Sequence, residues 1–223
     1  MQPELTQLTR ERRSADPVQY SRSQAPEVTD IFLTKESVRL AAEFADIVEY
    51  PNESWATRLS DLRVAVSGES SLAARVAGFS EKTRETSLIG LQELYAQSFD
   101  LNPTCALEIG YHLFGEDYKR GEFLANLREA EEPFELGQEQ QLPDYLPVLL
   151  RLLVQLEDDE LRGSLVGHCM IPSLKKIVKA FKEENPFADL ISAVQAALEL
   201  ALGEAVDQAS TLALESPSYE VSL

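Results

Sequence analysis

Apolar residues recur at steps of three and four through most of this chain, a period that only helices can turn into one buried face. Leu88, Leu91, Tyr95 and Phe99 step by 3, 4 and 4. Leu174, Ile177, Val178 and Phe181 follow i, i+3, i+4, i+7, as do Phe187, Leu190, Ile191 and Val194. Val38, Ala41, Ala45 and Val48 form a further stripe, with Leu40, Phe44 and Ile47 beside it. No run alternates apolar and polar residues with β-branched enrichment. The fold class is all-α.

Turn chemistry agrees with the period. Asn102-Pro103 and Asn185-Pro186 each put an N-cap residue before a proline at the first helical position. Pro143 suits another helix start, and Gly115, directly after Phe114, suits a helix end at positive φ. Pro172 should split or kink the stretch Leu161–Phe181. The pattern predicts a single-domain bundle of about eight to ten helices, at roughly 35–49, 53–66, 69–78, 81–99, 103–114, 118–131, 143–156, 159–169 with 173–183, and 187–204. The stretches 104–114 and 143–156 are apolar nearly all round and are predicted to be central. The helical domain is predicted over 34–206, after a disordered arm (1–33) and before a flexible tail (207–223).

The 38 acidic and 20 basic side chains leave a net charge of −18. That field repels phosphate and favours a basic partner, so nucleic acid is not expected. No uninterrupted apolar stretch reaches the roughly 18–20 residues of a membrane span, and no stable membrane insertion is predicted. Arg10, Arg12 and Arg13 are followed by a polar stretch without the apolar core of an export leader. With Cys105 and Cys169 as the only cysteines, a disulfide scaffold is ruled out and the reducing cytoplasm is the expected compartment.

Site chemistries fail one by one. A di-iron bundle needs two Glu-x-x-His pairs, but Glu108 and His112 are four apart and Leu165 stands three before His168. There is no C-x-x-C, no G-x-S-x-G, no Walker loop and no dinucleotide glycine pattern. Cys105 and His112 lie nearly two turns apart, so Cys105 reads as a core residue. No metal and no cofactor are predicted.

What remains is a set of aromatic and acidic segments in the middle third. Tyr95-Ala96-Gln97-Ser98-Phe99-Asp100 is followed by Tyr111-His112-Leu113-Phe114-Gly115-Glu116, then Arg120-Gly121, then Leu142-Pro143-Asp144-Tyr145-Leu146-Pro147. In order and spacing these resemble the NarJ/TorD-type chaperones, also called nitrate reductase delta subunits or molybdenum cofactor assembly chaperones. Glu49-Tyr50-Pro51 resembles an early turn of the same family. The family pattern has an acidic residue, a second His and a third His where this chain has Tyr111, Phe114 and Tyr145, which leaves the client enzyme unassigned.

The resemblance implies a cytoplasmic, cofactor-free, non-enzymatic helper, monomeric or weakly dimeric. It would hold the catalytic subunit of a molybdopterin-dependent oxidoreductase, through a basic N-terminal peptide, until the molybdenum cofactor is inserted. The client-peptide site it implies comprises Tyr95, Phe99, Asp100, Tyr111, His112, Phe114, Glu116, Asp117, Arg120, Pro143, Asp144, Tyr145 and Pro147. Glu116, Asp117 and Asp144 are expected to face solvent, Asp144 as acceptor for a client arginine. His112 reads as a buried, hydrogen-bonded residue or, functionally, as one that orders the loop after Gly115 by bonding Asp144. Two other readings stand behind this one: an acidic adaptor with no assembly role, and a hydrolase using Glu108 or Asp144 with His112.

Overall fold

A computed structural model describes residues 31–215 apart from residue 183, with side chains through Ala205. The chain is all-α, with no strand among the described residues. In order come α1 (Lys35–Ala42), α2 (Ala45–Val48), α3 (Trp55–Ala65), α4 (Ser70–Thr83), α5 (Leu88–Tyr95) and α6 (Ile109–Phe114). Then follow α7 (Tyr118–Glu131), α8 (Leu146–Leu153), α9 (Asp159–Ser164), α10 (Ile171–Ala180) and α11 (Pro186–Glu215). A π segment, Leu165–Met170, joins α9 to α10, so these two form one rod and the bundle has the expected size.

Helix α8 is the centre, as its composition predicts. Of its eight residues only Arg151 is not buried. That arginine ties the chain together by donating to Asp46 Oδ1 (2.7 Å), Glu49 Oε1 (2.8 Å) and the Leu136 carbonyl (3.0 Å). Helices α1 and α2 pack on α8, and the long α11 packs along α4, flanked by α1 and α10. Trp55, Phe79, Phe187, Tyr95 and Phe99 form a continuous run of edge-to-face and tilted rings, with centroids 4.8–5.7 Å apart. Such geometry adds about 0.5–1.5 kcal/mol per pair beyond area burial.

Several boundaries differ from the periodic reading. The 35–49 helix breaks at Glu43–Phe44 into α1 and α2. The expected 69–78 helix continues to Thr83, and the next starts only at Leu88, where Ser87 accepts the Gly90 N–H (3.1 Å). In place of a 103–114 helix there is a 3₁₀ turn, Pro103–Cys105, then extended chain before the six-residue α6. The 143–156 helix starts only at Leu146. Pro172 does not break its stretch; the π segment ahead of it leaves the proline in the first turn of α10, where a missing N–H costs little.

The 187–204 helix runs on to Glu215, and residues 216–223 of the expected tail lie outside the described residues. So do residues 1–30 of the expected arm. Its last residues pack. Leu33 is fully buried, and its N–H donates to the Asp159 carbonyl at 3.0 Å.

Candidate functional site

The motif segments meet through their backbones. Helices α6 and α8 have no side-chain N-cap, so their first N–H groups need other acceptors. Each finds one on the other's lead-in: Ile109 N–H donates to the Asp144 carbonyl (2.8 Å) and Leu146 N–H to the Leu107 carbonyl (2.9 Å). The result is an isolated antiparallel bridge between Glu108 and Tyr145, with two helices capping one another. Periodicity cannot reveal this pairing, because residues 106–108 carry the same apolar spacing as the helix they precede.

Asp144 is held beneath that bridge. Its side chain is fully buried and accepts from Gly110 N–H (3.0 Å), Arg120 Nε (3.2 Å) and Arg120 Nη2 (3.0 Å). The expectation that Asp144 faces solvent is therefore corrected, and its carboxylate already holds an arginine of its own chain. Burial pushes this carboxyl above the usual range, while the Arg120 charge and the hydrogen bonds pull it back. Gly110 is required here: a Cβ would stand 2.7 Å from Asp144 Oδ2 and 2.9 Å from Phe123. Arg120 is itself one-fifth exposed and lies 5.8 Å from the centre of the Tyr111 ring.

Above this pair opens a cleft of about 730 Å³. It gathers seven of the predicted residues: Tyr95, Phe99, Asp100, Tyr111, Glu116, Arg120 and Tyr145. Tyr95 and Phe99 reach it from α5 and the π segment Ala96–Asp100. There Ser98 donates its hydroxyl to the Leu94 carbonyl (2.6 Å), which competes with the regular ladder. The Tyr95 and Tyr145 hydroxyls are 2.8 Å apart, and Tyr95 donates to the Val48 carbonyl at 3.2 Å. A chain in which Tyr145 donates to Tyr95 and Tyr95 to Val48 satisfies both, and burial raises both phenols so that they stay neutral.

Three carboxylates edge the cleft: Asp100 and Glu116, both exposed, and Glu108, half-buried. Partial desolvation at the cleft edge raises the pKa of Asp100, and burial raises that of Glu108. Gly115, at φ +63°, turns the chain out of α6 and sets Glu116 on the connector.

The other predicted residues do not line the cleft. His112 is half-buried; its Nε2 lies 2.7 Å from the Ala106 carbonyl rather than bonding Asp144, so the proposed contact across helices is absent. Burial lowers its pKa. Phe114 packs at a tilt against Phe123, with ring centroids 5.5 Å apart, and Pro143 and Pro147 are buried. Asp117 is exposed as expected, but its carboxylate caps α7 by accepting the Lys119 N–H (2.9 Å). The hydrolase reading finds no support in these contacts, since His112 bonds neither Glu108 nor Asp144. Nor is a thiol activated: burial raises Cys105 and pushes Cys169 up to about 11.

Sequence reasoning missed Tyr50, Leu142 and Gln141 in the lining. Tyr50 is half-exposed and meets the Tyr95 ring edge-on at 5.4 Å, while the preceding Glu49 anchors on Arg151. The Pro51 carbonyl accepts from Gln92 (2.9 Å), so the turn is fixed on both sides of Tyr50, its one residue in the lining. The signal was present in that turn's resemblance, but it lies 45 residues before Tyr95 and nothing local connects the two.

No family model matches the chain. Its sequence is similar to the probable nitrate reductase molybdenum cofactor assembly chaperone NarJ of Bacillus subtilis (strain 168), with 27% identity over 157 residues, covering 69% of this chain and 84% of that protein. The resemblance to NarJ-type chaperones thus rests on an extended alignment as well as on the motifs that build the cleft.

Proposed function

We propose that this chain is a molybdenum cofactor assembly chaperone that works in the cytoplasm as a monomer or weak dimer. It has no catalytic step of its own. It holds the catalytic subunit of a molybdenum oxidoreductase by a basic N-terminal peptide until the cofactor is in place. The observation that carries this reading is the convergence of the motif segments on one cleft with an aromatic floor and an acidic edge, in a chain similar to NarJ.

The chemistry suits an amphipathic basic peptide. Exposed ion pairs contribute only about 0.2–1 kcal/mol each, so Asp100, Glu108 and Glu116 set the rate of encounter and the sign of partner accepted. Affinity comes from apolar anchors against the exposed Tyr50 and Leu142, over a floor formed by the buried tyrosine pair. Arg120, neutralised by Asp144, closes the cleft without cancelling its field.

Recovery of the tagged full chain with its bound proteins, identified by mass spectrometry, tests the proposal. A molybdopterin catalytic subunit lacking its cofactor is the expected partner. Recovery of only mature, cofactor-loaded complexes would favour the adaptor reading instead. Titration with the client's N-terminal peptide then locates the site, and Glu116→Lys should weaken it.

A further inference from the structure

The first thirty residues contain a segment, Leu8-Thr9-Arg10-Glu11-Arg12-Arg13, with three arginines against one glutamate, hence a net charge of +2. It is the densest cationic run ahead of the helical domain, and the domain's own acidic cleft is within its reach. We propose that this segment docks in cis in the cleft edged by Asp100, Glu108 and Glu116 and competes there with any basic peptide from outside. The proposal rests on the cleft being a peptide site, and adds that the site regulates itself.

Reach follows from how the arm is rooted. Arg162, fully buried on α9, donates to the Leu33 carbonyl and, through Nε at 2.7 Å, to the Leu153 carbonyl at the end of α8. The arm is therefore pinned at the C-terminal end of α8, while Tyr145, just before its N-terminal end, lines the cleft. Eight helical residues separate the two, about 12 Å at 1.5 Å per residue. Seventeen residues, 14–30, lie between Arg13 and the pinned strap. Fully extended they span about 55–60 Å, and as a coil about 20–25 Å root-mean-square. The buried α8 bars the straight path, and the extended length leaves room for a longer route over the surface to the cleft.

Charge selects the occupant. With Arg120 neutralised by Asp144, the three edging carboxylates meet no other cation in the lining. Three arginines at steps of two and one can face them, and Leu8 offers an apolar anchor for the aromatic floor. Tethering presents the segment at an effective concentration of about 1 mM. A segment whose Kd in trans is about 100 μM would then fill the cleft roughly 90% of the time and weaken a competitor about tenfold. A client peptide with more apolar anchors overcomes that factor, whereas a weakly matched basic peptide does not.

The test needs no client. In the full chain carrying Cys169→Ser, Gln7→Cys bears a nitroxide spin label, the remaining Cys105 being fully buried. Broadening of the backbone amide signals of Asp100, Glu108 and Glu116 is measured at low and high salt. The expected result is selective broadening of these three at low salt, relieved at 0.5 M salt and by the triple variant Arg10→Ser/Arg12→Ser/Arg13→Ser. A synthetic peptide copying residues 5–16 should bind that triple variant about tenfold more tightly than the natural chain. Absence of broadening at the cleft, or broadening that survives the triple substitution, overturns the proposal. Broadening seen only between labelled and unlabelled copies in a mixed sample would overturn the cis contact in favour of a second copy. Failure to recover a molybdenum enzyme would leave these readings untouched and would count against the client alone.

Discussion

Two arginines mark opposite ends of α8, and they are used in opposite ways. Arg162 has no exposed surface and donates to three backbone carbonyls, those of Leu33, Leu153 and Leu156, and to the Asp159 carboxylate. Arg120 is one-fifth exposed and directs its bonds to one side chain, Asp144. The first fastens the strap before α1 to the bundle, and Gly163 lets it: a Cβ there would stand 1.8 Å from the Ile31 carbonyl oxygen. The second holds a carboxylate under a cleft. Around it gather groups that burial disfavours as ions: Asp144 itself, Glu108 and Glu131. Buried mismatch of this kind concentrates where a protein binds, because a site is selected for its ligand before its own stability.

The contrast predicts unequal costs. Arg162→Met removes the donors of three carbonyls, each costing about 1–3 kcal/mol when left unpaired, so a loss of about 3–5 kcal/mol is expected in urea unfolding. Arg120→Met leaves Asp144 without its ion pair, but that carboxyl can take up a proton, which limits the loss to about 1–3 kcal/mol. Equal losses would break the comparison. Asp144→Asn should behave like the weaker case, lowering stability by about 1–3 kcal/mol while keeping an acceptor for Gly110 N–H. Because Asp144 is buried, any loss of peptide binding in that variant reports a released Arg120 rather than a lost client contact.

Glu131 sharpens the contrast through pH. It is buried near Asp144, one carboxylate oxygen has no hydrogen-bond partner among the described residues, and burial raises its pKa to about 7. A carboxyl whose folded pKa lies above its unfolded value of 4.5 favours folding at low pH and loses that contribution as pH rises toward 7. Glu131→Gln should match the natural protein below about pH 4.5. It should become more stable by roughly 1–3 kcal/mol above pH 7, a difference read from thermal unfolding across that window. A constant offset at every pH would show that Glu131 does not titrate there.

The same divide explains how much could be read from the sequence. Helix α7 falls on its expected 118–131 because every cue is local: Asp117 caps it, and Gly115 ends the helix before. The α8 core was legible from composition, since a helix apolar all round has only one place to go. The cleft was legible as a set of segments but not as a geometry. The Glu108–Tyr145 bridge joins residues 37 apart through backbone atoms, which no side-chain pattern records. Asp144 after a proline looks like a first-turn acid exposed to water; only the distant Arg120 and Gly110 turn it inward. The Tyr145 that departs from the family pattern makes sense beside Tyr95, whose hydroxyl it meets, a pairing across 50 residues. At the strap the arm's last residues, Ile31-Phe32-Leu33, are apolar but too few to show a period, and nothing near them announces Arg162 as their anchor.

The finest distinction lies between neighbours at the cleft. Asp117 and Glu116 are both exposed acids on the connector after Gly115, yet only Asp117 has structural work: it caps α7 through the Lys119 N–H. Asp117→Ala should therefore cost about 1 kcal/mol of stability, the usual effect of losing an N-cap, with little change in peptide capture beyond the loss of one charge. Glu116 makes no hydrogen bond or ion pair among the described residues and lines the cleft. Glu116→Gln should change stability by less than about 0.5 kcal/mol, within the range of an unengaged surface position. Its effect should appear in kinetics: slower association with a basic peptide and a shallower dependence of that rate on salt, because one steering charge is gone. Stopped-flow measurement across a salt series, with the dissociation rate followed in parallel, separates the two residues. If Glu116→Gln alters dissociation as strongly as association, the carboxylate makes a close contact in the complex and is more than a steering charge.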